Sequence, residues 1–545
     1  ISVIQGSNAL FTVAATGTPP LSYQWRWYGT NIPGATTTGL SLNGVSTNQA
    51  GPYTVVITNA YGSITSTVAL LSVSLPPPPG RLSVLWQLSP GSRTYLANSA
   101  LPTERGLAFN PVSKRLILVS RASSSLHMYV LDAESGADLH EMNISGITGG
   151  TYTLSLVGVA DDGAVYAANL TTSGATTAFK IYRWADDNPG TVPTVAFSGD
   201  PSPGNPQRWG DTLDVRGAGS GTQCIAASRA STNVVLFSTV NGTTFTAQNI
   251  VVPAVSGGDF GLGLAFGTSN TFWGRANGRS LRQVSYNTGT GSGTILRTHA
   301  DPDIPSGVSA IGVNNSLGLL AGINITSPNH LRVYSIPAAP ASPLLLGTNL
   351  FATDNDNTGA GTGAIDFNGD RIYALDSNNG LLALRLNFPP TITNQPMALT
   401  LKAGKTATFA VEASGTPPLS YQWRFAGGII PAATGIGYSR PGVLTNSAGY
   451  YSVVVTNFWG SVTSNPALLT VIPPVPPQIN PLVLTPDGPV RLTGAGDPGG
   501  FVVEASENLA NWQELVTIAS TNGAFQWWDP ETTLARRFYR VRWQP

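Results

Sequence analysis

The densest run of potential ligand oxygens in this chain is Asp354-Asn355-Asp356-Asn357, followed by Asp366-Phe367-Asn368-Gly369-Asp370. Alternating Asp and Asn side chains offer the hard oxygen donors that Ca²⁺ takes. The twelve-residue calcium loop with its terminal Glu is not met, and Asn-Gly-Asp between strands is a favoured turn. Calcium held by Asp354, Asp356 and Asp366 and a plain turn both fit this run, and the missing Glu favours the turn.

A second grouping is spread along the chain. It comprises Glu104 with Arg105, Tyr152, Arg208 with Trp209 and Asp211, Asp259 with Phe260, Asp301 with Asp303, and Asp354 with Asp356. Each precedes a predicted strand of one repeat, so a closed ring of repeats would gather them at one mouth. A concave mouth carrying aromatic and charged groups is where a ligand is expected. Arg105, Arg208, Trp209, Asp211, Asp354 and Asp356 are the candidate binding residues. Trp209, flanked by Arg208 and Asp211, would stack a sugar and bind its hydroxyls; solvated loop charges are the alternative.

Little else in the sequence is equipped for catalysis. His127, His140, His299 and His330 are scattered, without metal-ligand spacing or a paired Glu. The single cysteine, Cys224, lies in a strand pattern with no neighbouring His and reads as an inert buried thiol. No GxSxG elbow, P-loop or dinucleotide fingerprint occurs. The chain is therefore expected not to be an enzyme. A metal-dependent propeller hydrolase or lactonase starting from Asp214, Asp354 and Asp366 is the remaining catalytic reading.

The elements that must position these residues announce themselves by repetition. Leu107-Ala108-Phe109, Val157-Gly158-Val159, Leu213-Asp214-Val215, Leu264-Ala265-Phe266, Ile311-Gly312-Val313 and Ile365-Asp366-Phe367 recur every 47 to 56 residues. Repeats of this length, each with several short strands, mark propellers and related arrays. Residues 80–388 are expected to form a six-bladed β-propeller with these triplets innermost. The middle positions are small because blades converge on the axis; Asp214 and Asp366 depart, through hydrogen bonding to backbone or Arg216 or through an inner polar site. Leu82 to Trp86 is expected to complete the last blade and close the ring.

Segments 1–75 and 391–472 are a second repeat. Gly17 to Arg26 reads GTPPLSYQWR, and the same ten residues return at Gly415 to Arg424, an offset of 398. Each copy has a tryptophan (Trp25, Trp423) and an alanine-glycine-x-tyrosine motif ending at Tyr53 or Tyr451. This resembles an immunoglobulin-like sandwich with its core tryptophan and tyrosine corner. Val13 with Val55, and Val411 with Val453, stand where that family carries its inter-sheet cysteines, so the resemblance is to disulfide-free repeats of large bacterial surface proteins. Copy two has Thr391 to Gln395 ahead of its first aligned strand, whereas copy one begins at Ile1. Two expectations follow: residues precede Ile1, or a neighbouring molecule fills the open edge. Segment 478–545 resembles the small terminal β-sandwich of exported bacterial repeat proteins, with Arg536, Arg537, Arg540 and Arg542 expected at inter-module or inter-subunit contacts.

Composition agrees with an all-β chain of four such modules. The 545 residues include 61 Gly and 41 Pro, and only 10% are charged, far below the ~25% of ordinary domains. The 28 basic and 28 acidic side chains cancel, so no net field recruits nucleic acid or an anionic membrane. No apolar stretch approaches the ~20 residues a membrane helix needs. Proline runs at Pro76 to Pro79, Pro389-Pro390 and Pro473 to Pro477 read as semi-rigid spacers. The expected role is that of a secreted or cell-surface structural protein that self-associates into a fibre or layer, with a glycan-binding adhesin as the alternative.

Overall fold

The computed structural model describes residues 1–4, 8–74, 81–97, 103–122, 125–203, 207–337, 342–355, 363–482, 489–531 and 536–544. The chain is all-β and divides into two compact units, Pro79–Asn387 and the pair of segments Ile1–Pro78 and Phe388–Pro545. The run Pro76 to Pro79 lies outside the described residues.

Pro79–Asn387 folds into six four-stranded antiparallel sheets. Their first strands are Glu104–Asn110, Tyr152–Val159, Asp214–Arg216, Gly263–Phe266, Val308–Asn314 and Gly363–Asn368. Each touches the first strand of the next sheet, and the sixth touches the first, so the sheets are blades around one axis. The triplets occupy these innermost strands; only Leu213 falls one residue outside its strand.

The tight axis explains the small middle residues. A Cβ at Gly158 would lie 2.6 Å from Val215 Cγ2, and one at Gly312 would lie 2.7 Å from the Ile365 carbonyl oxygen. Glu104–Asn110 and Val165–Leu170 are buried along their whole length, as expected for strands covered on both faces. Outer strands such as Ser292–His299 keep exposed positions among buried ones. Polar side chains make the turns: Asn110 Oδ1 accepts the N–H groups of Val112 and Ser113 at 2.9 and 3.2 Å.

The last blade takes its fourth strand from the start of the unit. Leu82–Leu88 pairs antiparallel with Gly380–Leu386, from Leu381 opposite Leu88 to Leu386 opposite Leu82. This removes the free edge that would otherwise break the ring. It also brings the two ends of the unit together, with the Asn387 N–H donating to the Arg81 carbonyl at 2.8 Å.

In the other unit, each repeat copy is a sandwich around its tryptophan. Trp25 packs with Phe11, Tyr53, Val55, Leu71 and Val73, and Trp423 with Phe409, Tyr451, Val453, Leu469 and Val471. The tyrosine hydroxyls donate four residues upstream, Tyr53 to the Gln49 carbonyl at 2.8 Å and Tyr451 to the Ser447 carbonyl at 2.9 Å. Val411 and Val453 lie in the core, and Val13 packs against the core that holds Val55. Apolar contact thus replaces the covalent link between sheets.

The copies differ at one edge. Thr391–Asn394 pairs with Glu412–Ser414 in copy two, while the aligned residues 14–16 of copy one belong to no strand. The copies also pack on each other. The Tyr28 and Ser452 hydroxyls are hydrogen-bonded at 3.0 Å within a buried contact, and Arg424 donates to Asn48 at 3.1 Å.

The final segment forms two three-stranded sheets around Phe501 and Phe525. Its arginines are spent internally. Arg537 pairs with Asp529 at 3.1 Å, Arg540 with Glu504 at 2.7 Å, and Arg542 with Glu504 and Glu514 at 3.3 and 3.0 Å. Arg536 lies over the Phe538 ring. Ion pairs within the segment thus engage three of the four arginines expected at inter-module or inter-subunit contacts.

Candidate functional site

The six triplets enclose a central cavity of about 230 Å³. Apolar residue types predominate in its lining but polar atoms make up most of its wall, and Asp214 and Asp366 enter it from opposite blades. Asp214 Oδ2 accepts the Phe266 N–H of the next blade at 2.6 Å, and Oδ1 accepts the Val215 N–H at 2.9 Å. Asp366 repeats the arrangement with Phe109 N–H and Phe367 N–H, both at 2.7 Å. Each carboxyl therefore ties its blade to the following one. Burial in the narrow channel pushes Asp214 up to about 6 and Asp366 up to about 7, and the charge of Asp214 adds to the rise at Asp366.

The Asp/Asn run does not assemble into one cluster. Exposed Asp354 accepts the Ser327 hydroxyl at 2.6 Å and the Asn329 N–H at 2.7 Å, and these bonds hold its carboxyl below the ordinary range. Asp370 pairs with Arg385 at 2.7 Å beside the left-handed Gly369 (φ +57°), the turn that Asn-Gly-Asp encodes. Asp366 faces the channel; Asp356 lies outside the described residues. Among the described residues no group of three or more His, Cys, Asp or Glu is placed to hold a metal ion.

The histidines and Cys224 have local roles. His127 binds Glu141 and Ser125, both at 2.8 Å, His140 binds the Asp187 carbonyl at 2.7 Å, and His330 binds the Pro328 carbonyl at 2.5 Å. His299 stacks on Trp273, and burial lowers its pKa. Cys224 is fully buried, which pushes its thiol pKa up.

At the end of the ring where the innermost strands begin, blades one to three bring four arginines around one carboxylate. Asp211, which lines the cavity, has a wholly buried carboxylate that takes a two-point contact from Arg208, Nε to Oδ2 at 2.5 Å and Nη2 to Oδ1 at 2.8 Å. Arg229 approaches the same carboxylate at 3.7 Å. The Arg121 guanidinium lies 3.7 Å from the centre of the Tyr152 ring. Arg105, on the innermost strand of blade one, is only 7% exposed. Among the described residues it has no hydrogen-bond or ion-pair partner, and its Nε is fully enclosed. Burial, reinforced by the charge of Arg121, lowers its pKa to about 10.

Nearby Glu104 offsets part of this charge through its attraction for Arg121. Its carboxylate accepts the Ala97 N–H and the Thr103 hydroxyl, and burial raises its pKa. The cluster therefore carries more positive than negative charge in a chain whose total is zero.

Arg105, Arg208 and Asp211 thus come together, while Asp354 binds a separate set of partners. Trp209 overturns its expected role. It is 0% exposed and packs beside Phe179 in the core of blades two and three, so its ring is closed to a sugar. Its two apolar faces are worth more buried than wet. Phe260 is likewise core, against Phe272, and Asp259 is held by Arg279 and Arg282. The aromatic that does reach solvent is Tyr152, at 46% exposure.

Arg121 and Arg229 were not singled out by strand pattern. A signal was present, since Ser120-Arg121-Ala122-Ser123 and Ser228-Arg229-Ala230-Ser231 repeat the same four residues after the second strands of blades one and three.

No curated protein matches the chain. Among solved structures, a gluconolactonase of Xanthomonas campestris aligns over 57% of this chain and 97% of its own, at 12% identity and a TM-score of 0.34. The first four immunoglobulin domains of Sidekick-1 align over 87% of this chain and 96% of theirs, at 12% identity and a TM-score of 0.19. Titin domain M7 aligns over 16% of this chain and 96% of its own, at 25% identity and a TM-score of 0.15. Residues 92–311, the stretch that contains all four arginines of the mouth, match the model of DUF4623, a family described as a domain of unknown function.

Proposed function

We propose that this chain is a non-catalytic interaction protein of the cell exterior, secreted or surface-displayed, in which a propeller is carried between immunoglobulin-like modules. The observation that carries the reading is the use made of the axial carboxylates. Asp214 and Asp366 stand where propeller chemistry would be centred, and each has both oxygens taken by backbone N–H groups, one of the neighbouring blade and one of the next residue in its own strand. The disulfide-free sandwiches, the low charge and the resemblance to exported bacterial repeat proteins support the location.

Assembly into a fibre or layer is part of the proposal. Residues 14–16 of copy one present the edge that copy two pairs with Thr391–Asn394. A strand from the same chain or from a neighbour fits there. Electron microscopy of native, undissociated material tests this: regular fibres or sheets are expected, and monodisperse particles at all concentrations overturn the assembly.

A further inference from the structure

A guanidinium closed off from water without a counter-charge is unfavourable unless something supplies one. Arg105 approaches that position: its Nε is enclosed, and the one carboxylate acting on it is shared with other arginines. It is 7% exposed, and among the described residues it has no hydrogen-bond or ion-pair partner. The carboxylate acting on it, Asp211, is already claimed by Arg208 through two bonds and approached by Arg229. The positive charges of Arg121, Arg208 and Arg229 all bear on Arg105. The site is therefore short of negative charge, and it is built on blade elements: Arg105 lies on an innermost strand, and Arg121 directly follows the second strand of the same blade.

Guanidinium groups match the planar or tetrahedral oxygens of carboxylates and sulfate esters through paired N–H donors. Tyr152 adds a different chemistry. Its ring is half exposed beside Arg121, an apolar face next to cations at an open mouth. That combination fits a sugar ring bearing an acidic group better than a bare ion.

We propose that the mouth formed by blades one to three binds an acidic glycan, with the sugar's oxyanion held by Arg105 and its ring laid beside Tyr152. Arg121 and Arg229 strengthen the field, and Asp211 holds Arg208 in place. The inference rests on the reading of the chain as a binding protein.

The test is calorimetric titration of the full chain with tetragalacturonate, a sulfated heparin tetrasaccharide, neutral cellotetraose and inorganic sulfate. At least one acidic tetrasaccharide binds, more weakly as salt is raised; which one identifies carboxylate or sulfate ester as the natural group. Arg105→Met lowers that affinity at least tenfold. Tyr152→Ala, a substitution at the surface, lowers it about threefold to tenfold and leaves the binding of inorganic sulfate unchanged. Three results overturn the proposal: no acidic tetrasaccharide binds, cellotetraose binds equally well, or inorganic sulfate binds as tightly as the tetrasaccharides. If the acidic tetrasaccharide binds but new reducing ends accumulate, the non-catalytic reading fails while the binding site stands.

Discussion

The channel and the mouth of the propeller treat buried charge in opposite ways. In the channel, Asp214 and Asp366 each receive two backbone N–H groups, so both oxygens have donors and the carboxyls act as fasteners between blades, although burial still outweighs these bonds and raises both pKa values. At the mouth a few residues away, Arg105 has an enclosed Nε and finds no hydrogen-bond partner among the described residues, and the carboxylate acting on it, Asp211, is bonded to Arg208. A buried charge whose partners are all internal serves the fold; one whose partners are missing points outward to a ligand. Charge content and position near the axis do not separate the two cases, but hydrogen-bond accounting does.

The sharpest way to break this contrast is through Trp209. As a core residue it should cost about 3–5 kcal/mol when cut to alanine, lowering the propeller's transition in scanning calorimetry. A glycan affinity lost with no change in that transition would return Trp209 to the mouth.

The second effect concerns the channel carboxyls. Folding raises both above the ordinary 3.8, to about 6 and about 7, so the folded chain holds protons that the unfolded chain has released. Their contribution is greatest below about pH 4 and is lost as pH rises through about 6 to 7. Urea unfolding of the propeller should lose several kcal/mol between pH 4 and pH 8 from this source. Asp366→Asn should flatten that decline, and an unchanged slope would show that the channel does not penalise ionised Asp366.

The smallest effect has the opposite sign. Arg105→Met should stabilise the ligand-free propeller by about 1 kcal/mol, because it removes an uncompensated buried charge and keeps the packing volume. Destabilisation would mean that Arg105 is a fastener like the channel carboxyls.

Much of the fold was legible because it is periodic. The triplets had to lie innermost, where Gly158 and Gly312 leave no room for a Cβ, and an unpaired final blade had to find Leu82–Leu88 to close its edge. Tyr53 and Tyr451 make the corner bonds their motif implies. The mouth was half legible. Loops ahead of the inner strands gave Arg105, Arg208 and Asp211, but Arg121 and Arg229 follow second strands, and only the ring brings these two kinds of position together. Trp209 was misread because a tryptophan between charged neighbours has the same sequence pattern whether its ring faces solvent or core.

By itself, then, the sequence determined the blades, the sandwich cores and the closing strand, all of which follow from alternation, turn residues and repeat length acting over short distances. The tertiary structure decided which charges meet. Asp214 and Asp366 find backbone N–H groups 52 and 257 residues away, Tyr28 finds Ser452 across 424 residues, and Arg105 finds no partner among the described residues. Such pairings depend on ring closure and module packing, where a shift of one or two ångströms makes or loses a hydrogen bond, and no local pattern records that distance.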